Sequence, residues 1–90
     1  MQYYQEDLKS LLKTYQHASM LLRNSRALPP DRALGSLELA SVLHLTAGKA
    51  MDMLPRELSE HPEYRHLYNV QQRLSTELST ELSTKLRRHM

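Results

Sequence analysis

The chain lacks cysteine, phenylalanine and tryptophan, and it has only two glycines among its 90 residues. Without cysteine there can be no disulfide framework, no thiol nucleophile and no cysteine-based zinc site, and this absence fits a reducing compartment such as the cytoplasm. Gly35 and Gly48 stand alone, so no glycine-rich loop is available to hold a phosphate. These absences exclude several kinds of enzyme site.

Long apolar runs and a strong charge bias are missing as well. No run of about 18 apolar residues occurs, and the N-terminal residues do not have the pattern of a signal peptide. The formal net charge is +2, from 12 Lys and Arg against 10 Asp and Glu, which is too small to attract nucleic acid over a long range. We therefore expect a soluble, cytoplasmic protein with no membrane partner.

The residues that are present favour helices. Apolar residues make up 40% of the chain, but there is no isoleucine, there are two valines, and five tyrosines are the only aromatic residues. Sheets favour β-branched and aromatic residues, whereas leucine, alanine and methionine suit helices. Ninety residues can enclose one modest core without a separate catalytic lobe. The sequence predicts a single all-α domain over residues 1–90.

Apolar residues spaced three and four apart predict three amphipathic helices. The prolines at 29–30 and at Pro55 end the first two helices, and Pro62 suits the first turn of the third. Short connections favour a three-helix antiparallel bundle, with the second helix in the middle and a long, partly projecting C-terminal helix. A helical hairpin that swaps its third helix with a second copy is the alternative. The predicted helices cover about 3–25, 32–54 and 62–88.

Polar residues near the predicted helix starts are candidate caps. Asp31 or Ser36 could cap the second helix, and Ser59 or His61 the third, because such side chains accept hydrogen bonds from the exposed N–H groups at a helix start. Residues 55–58, which lie between the second and third helices, are expected to form a single turn.

The second helix is apolar around roughly 220° of its circumference, so it must touch two other helices. Leu45 lies inside the remaining polar strip, and it is therefore predicted to be exposed or covered by something outside the chain. The polar strip comprises Glu38, Ser41, Gly48, Lys49 and Asp52.

A tetrapeptide repeat marks the third helix. Residues 74–85 read Leu-Ser-Thr-Glu, Leu-Ser-Thr-Glu, Leu-Ser-Thr-Lys. Four residues rotate a helix by about 400°, so each leucine is displaced by about 40° from the one before. The row is expected to turn out of the core and to direct Leu78, Leu82 and Leu86 towards a partner.

Motifs for catalysis or metal binding are incomplete. Glu63 and His66 share a helix face with His61 nearby, but a di-metal bundle needs a second such pair and two further inward glutamates. His44 lies at the edge of the apolar arc of the second helix, with no nucleophile at a recognisable spacing. We therefore predict no enzyme activity, no catalytic residue, no metal site and no cofactor.

The number of apolar positions exceeds what a three-helix monomer of this size readily covers. We therefore expect a non-enzymatic protein–protein interaction module, namely a small adaptor, co-chaperone or inhibitor. Its partner would be a helix of another protein, or it would self-associate as a homo-oligomer through an apolar helix face. The residues predicted for this surface are Met20, Leu21, Leu45, Leu78, Leu82 and Leu86.

The alternative hypothesis is a small dimeric nucleic-acid-binding regulator that uses the basic end of the third helix. Interleaved Glu63, Glu77 and Glu81 dilute this basic stripe, and no helix-turn-helix pattern is present, so nucleic acid is the less favoured partner. The phosphate contacts would come from Arg65, Arg73, Lys85, Arg87 and Arg88.

Overall fold

The computed structural model describes the backbone of residues 5–89 and the side chains of residues 5–87. Residues 5–89 form three α-helices, and α2 packs against both α1 and α3, which also contact each other. The predicted all-α three-helix bundle is confirmed, and residues 5–89 contain no strand. The helices are α1 (Gln5–Ser25), α2 (Pro30–Asp52) and α3 (Pro62–His89), with a 3-10 helix (Arg56–Glu60) between α2 and α3.

Prolines set the start of α2 and α3. α2 begins at Pro30, two residues before the predicted start, because proline fits the first position of a helix. The predictions of Asp31 or Ser36 as its cap are wrong: no side chain caps this start, Asp31 lies in the first turn, and the Ser36 hydroxyl donates to the Leu21 carbonyl at 2.9 Å. For α3 the prediction is confirmed, since His61 Nδ1 accepts the Glu63 N–H at 3.3 Å.

A single apolar core runs along the molecule, which measures 48 × 17 × 17 Å. Alanines on α2 leave little space between neighbouring backbones, and Tyr15 is the largest side chain that is fully enclosed. The core comprises Leu8, Leu11, Tyr15, Ala18 and Leu22 of α1, Leu37, Ala40, Ala47 and Met51 of α2, and Leu67, Leu74 and Leu78 of α3.

The third helix is the longest, with 28 residues against 21 in α1 and 23 in α2. Arg26, which directly follows α1, pairs with Glu81 of α3 through Nε and Oε1 at 2.9 Å. This contact places the end of α1 beside residue 81. Two turns of α3 follow Glu81, and the predicted long third helix is confirmed.

Polar atoms join the three helices at one buried junction. The Tyr15 hydroxyl donates to the Met51 sulfur at 3.2 Å, and the Tyr15 ring meets the His44 ring edge-on, with centroids 5.9 Å apart. His44 Nε2 lies 3.0 Å from the Gln71 carbonyl oxygen, so it is the protonated nitrogen that donates. The junction runs from α1 through α2 to α3.

Gly48 is buried between α2 and α3, although the sequence placed it in the exposed polar strip. A Cβ atom at Gly48 would lie 2.8 Å from the Gln71 side-chain nitrogen. The missing side chain therefore leaves room for Gln71 beside α2, next to the His44 contact. Both contacts lie on the side of α2 that faces α3.

Burial raises the pKa of Tyr15 to about 12, with Asp52 and Tyr64 acting in the same direction and Gln71 opposing them. The folded chain therefore holds this proton more tightly than the unfolded chain, whose tyrosine has a pKa of 10.0. The contribution of Tyr15 to stability is complete below pH 10 and is lost as the pH rises through about 12.

Urea unfolding of the wild type and of Tyr15→Phe at a series of alkaline pH values tests this effect. Phenylalanine cannot ionise, so the free energy of unfolding of the variant should fall less steeply above pH 10 than that of the wild type. A constant offset from loss of the Met51 contact is expected at every pH. Identical slopes would show that Tyr15 is not held as the neutral phenol.

Candidate protein-interaction surface

The outward side of α2 carries a row of exposed apolar side chains. Leu39, Val42 and Leu45 are 49%, 57% and 60% exposed. They are spaced three residues apart, so consecutive members are about 60° apart around the helix and the row crosses the surface obliquely. Leu45 borders the groove between α2 and Gln71 of α3. We call these three residues, with Glu38 and Lys49, the α2 face.

The geometry of the core explains why this face is exposed. Val42 and Met51 are nine residues apart, which is about 900°, so they point in opposite directions. Met51 is buried against Tyr15, and Val42 therefore points to solvent. The prediction that Leu45 is exposed is confirmed. Because α2 is held by both neighbours, the α2 face lies on a rigid part of the fold.

Leu39 and Val42 were missed by sequence reasoning. Both belong to the apolar arc of roughly 220° that predicts contacts with neighbouring helices, whereas both are exposed. The signal that could have found them is the half-turn offset between Val42 and Met51, since residues on opposite sides of a helix require neighbours on both sides. Only two helices were available to cover α2, and both pack on the side of Met51.

Met20 and Leu21 of α1 are not brought together with Leu45. Met20 is 59% exposed on the outward side of α1, where its neighbours one turn away are all exposed and polar. Leu21 is half-buried and packs against the core. Met20 is thus an isolated apolar side chain and does not extend the α2 face. Its four polar neighbours are Gln16, His17, Arg23 and Asn24.

The leucines of the repeat turn out of the core later than the sequence predicted. Leu78 is a core residue, so its expected position on the outer surface is wrong; it lies 11 residues after Leu67 and therefore only about 20° from it around the helix. Leu82, about 60° from Leu67, is half-buried against the core. Leu86, about 100° away, is 48% exposed.

The hydroxyl groups of the repeat are satisfied within α3 itself. Thr76, Thr80 and Thr84 each donate to the carbonyl oxygen four residues earlier, at 3.2, 3.0 and 2.9 Å. Threonine is a mediocre helix former, and this bond gives its hydroxyl a partner without leaving the helix. The repeat can therefore stay helical on its exposed side while its leucines pack on the other.

Lys85 occupies the position that faces the core at the end of α3. It follows Leu67 by 18 residues, or about five whole turns, and it is only 5% exposed. The leucine row has rotated away from the core by this point, so the side chain that points to the core is that of Lys85. Lys85 is therefore not an exposed phosphate contact, so the nucleic-acid hypothesis is wrong about this residue.

Other arginines meet at a different place. Arg73 lines a cleft between α1 and α3 together with Arg23 and Arg26 from the end of α1. Glu77 lines the same cleft, and Arg26 is paired with Glu81, so much of the positive charge is balanced locally. Of the remaining predicted phosphate contacts, Arg65 and Arg87 are exposed on α3, and the side chain of Arg88 lies outside the described residues.

The described part of the chain carries neither a cluster of metal-binding side chains nor a helix that could span a membrane. No three histidine or carboxylate side chains there are grouped as a metal site would need. None of the described helices combines the length and the apolar character needed to cross a bilayer. His61 and His44 already have structural partners, the Glu63 N–H and the Gln71 carbonyl.

Comparisons with protein-family models, with curated proteins and with solved structures found no match to this chain.

Replacing two leucines of the repeat separately tests the rotation of the row. Leu78→Ala should lower the free energy of unfolding by about 3 kcal/mol, because it leaves a cavity in the core. Leu86→Ala should change it by about 0.5 kcal/mol or less, because the side chain is half exposed. Urea denaturation followed by circular dichroism measures both values. Equal losses would show that the row does not turn out of the core.

Proposed function

We propose that this chain is a non-enzymatic protein–protein interaction module that binds a partner helix through the α2 face. The observation that supports it most directly is the row of Leu39, Val42 and Leu45, which are large apolar side chains exposed together on one helix. Single exposed leucines are common on protein surfaces, whereas a contiguous apolar row is typical of a binding site.

A helix is the partner that fits this surface best. Side chains three residues apart form a ridge on a helix, and such ridges pack into the grooves of a second helix. A partner helix lying along α2 would cover the row and extend the bundle by one helix, as in recognition of an amphipathic helix by an apolar groove. Burying apolar surface contributes about 25 cal/mol per Å².

Small adaptors, co-chaperones and inhibitors are the classes of protein that work in this way, and the absence of cysteine favours a cytoplasmic setting. The polar groups of the interior support a structural rather than a catalytic role. Tyr15 is enclosed and donates to the Met51 sulfur, and the half-buried His44 donates to the Gln71 carbonyl.

Matched charge insertions test the proposal. Leu45→Glu places a carboxylate in the α2 face, whereas Met20→Glu places one at an equally exposed site that has only polar neighbours. The immobilised chain is used to capture partners from cells that express it, and sedimentation velocity measures self-association of the free chain. We expect Leu45→Glu to abolish the association seen with the wild type and Met20→Glu to retain it.

Salt dependence separates this proposal from binding of nucleic acid. Apolar docking should respond little when the salt concentration is raised, whereas contacts with phosphates weaken steeply because counterions are released. Loss of association with both variants, or with neither, would contradict the proposed surface. A steep loss of binding with salt together with recovery of nucleic acid would favour the alternative hypothesis.

A further inference from the structure

Four of the five side chains of the α2 face, all except Leu39, are arranged symmetrically about one point. Val42 and Leu45 have their midpoint between positions 43 and 44, and Glu38 and Lys49 have the same midpoint. One pair is apolar and the other carries opposite charges. All four side chains are exposed.

The four residues also lie along one line on the surface. Glu38 and Lys49 are 11 residues apart, or about 1,100°, so they point within about 20° of the same direction. Val42 and Leu45 lie about 30° to either side of that direction. A helix laid antiparallel on this line would meet the apolar pair at the centre and the charged residues about 8 Å away on each side.

This arrangement is complementary to itself in a dimer with two-fold symmetry. In an antiparallel pair of identical helices related by a two-fold axis through the midpoint, each residue meets the one at the mirrored position in the other copy. Val42 then meets the partner's Leu45, and Glu38 meets the partner's Lys49. Each contact occurs twice, so one dimer contains two apolar and two oppositely charged contacts.

We infer that the occupant of the α2 face is a second copy of this chain, in an antiparallel two-fold dimer with α2 against α2. The inference rests on the proposed function, because it names the partner of the same surface. Charge complementarity distinguishes this pairing from a parallel one, in which Glu38 would meet the partner's Glu38 and Lys49 the partner's Lys49. A different protein would not require one helix to be complementary to itself.

A third pair extends the symmetry towards the ends of α2. Leu34 and Met53 share the same midpoint. Met53 is the most exposed large apolar side chain of the described residues, and Leu34 is half-buried. The two residues are 19 positions apart, or about 100° around the helix, so in the antiparallel dimer they lie on opposite flanks of the central contacts.

Charge reversal tests the inference. Glu38→Lys gives a face with two lysines, and Lys49→Glu gives one with two glutamates, so each variant alone repels its own copy at both contacts. We expect each reversal to raise the dimer dissociation constant about tenfold or more at low salt. The 1:1 mixture should form a heterodimer, and the double variant Glu38→Lys with Lys49→Glu should dimerise like the wild type. Sedimentation equilibrium of the full chain measures all four.

Several results would overturn the inference. A wild type that remains monomeric at millimolar concentration would exclude self-association. The proposed function would then still be tested by capture of a partner, with Leu45→Glu as the control. A wild-type dimer unaffected by either reversal would place the dimer contact elsewhere. If neither reversal alone weakened the dimer but the 1:1 mixture of the two variants associated more tightly than the wild type, the pairing would be parallel, because parallel copies bring each position against itself. Unchanged circular dichroism and thermal unfolding of the variants would show that the bundle itself is intact.

Discussion

The rotation of α2 about its own axis determines which residues this protein presents to solvent. That rotation follows from the inner side of α2, where Ala40, Ala47 and Met51 join the core. On the same side His44 lies between the Tyr15 ring and the Gln71 carbonyl, and Gly48 lies beside the Gln71 side chain. A change of a third of a turn would bury Val42 and expose core residues instead. The contacts on the inner side of α2 therefore also determine which residues form the α2 face on its outer side.

Much of the architecture could be predicted because it depends on properties local to the chain. Prolines end or begin helices wherever they occur, so the three helices follow from their positions. The direction of a side chain relative to its own helix also follows from counting residues. The exposure of Leu45 and the gradual rotation of the repeat were therefore predictable.

What could not be predicted depends on how one helix is turned towards another. The 40° drift of the repeat is known from the sequence, but the residue at which it starts to leave the core is not, so Leu78 was misplaced. Gly48 was grouped with polar residues because it lacks an apolar side chain, whereas it is buried because it has no side chain at all. The symmetry of the α2 face becomes meaningful only once that side is known to be exposed.

The four-residue period of the repeat in α3 limits the length over which the helices can pack. Each repeat lengthens the helix by about 6 Å but moves its leucine a ninth of a turn away from the core, so after a few repeats the contact between helices must end. Here it ends where Lys85 takes the inner position and Leu86 faces outwards. Adding further copies of the repeat would lengthen the helix without lengthening the shared core. Its packed length is limited by the mismatch between four residues and one helical turn.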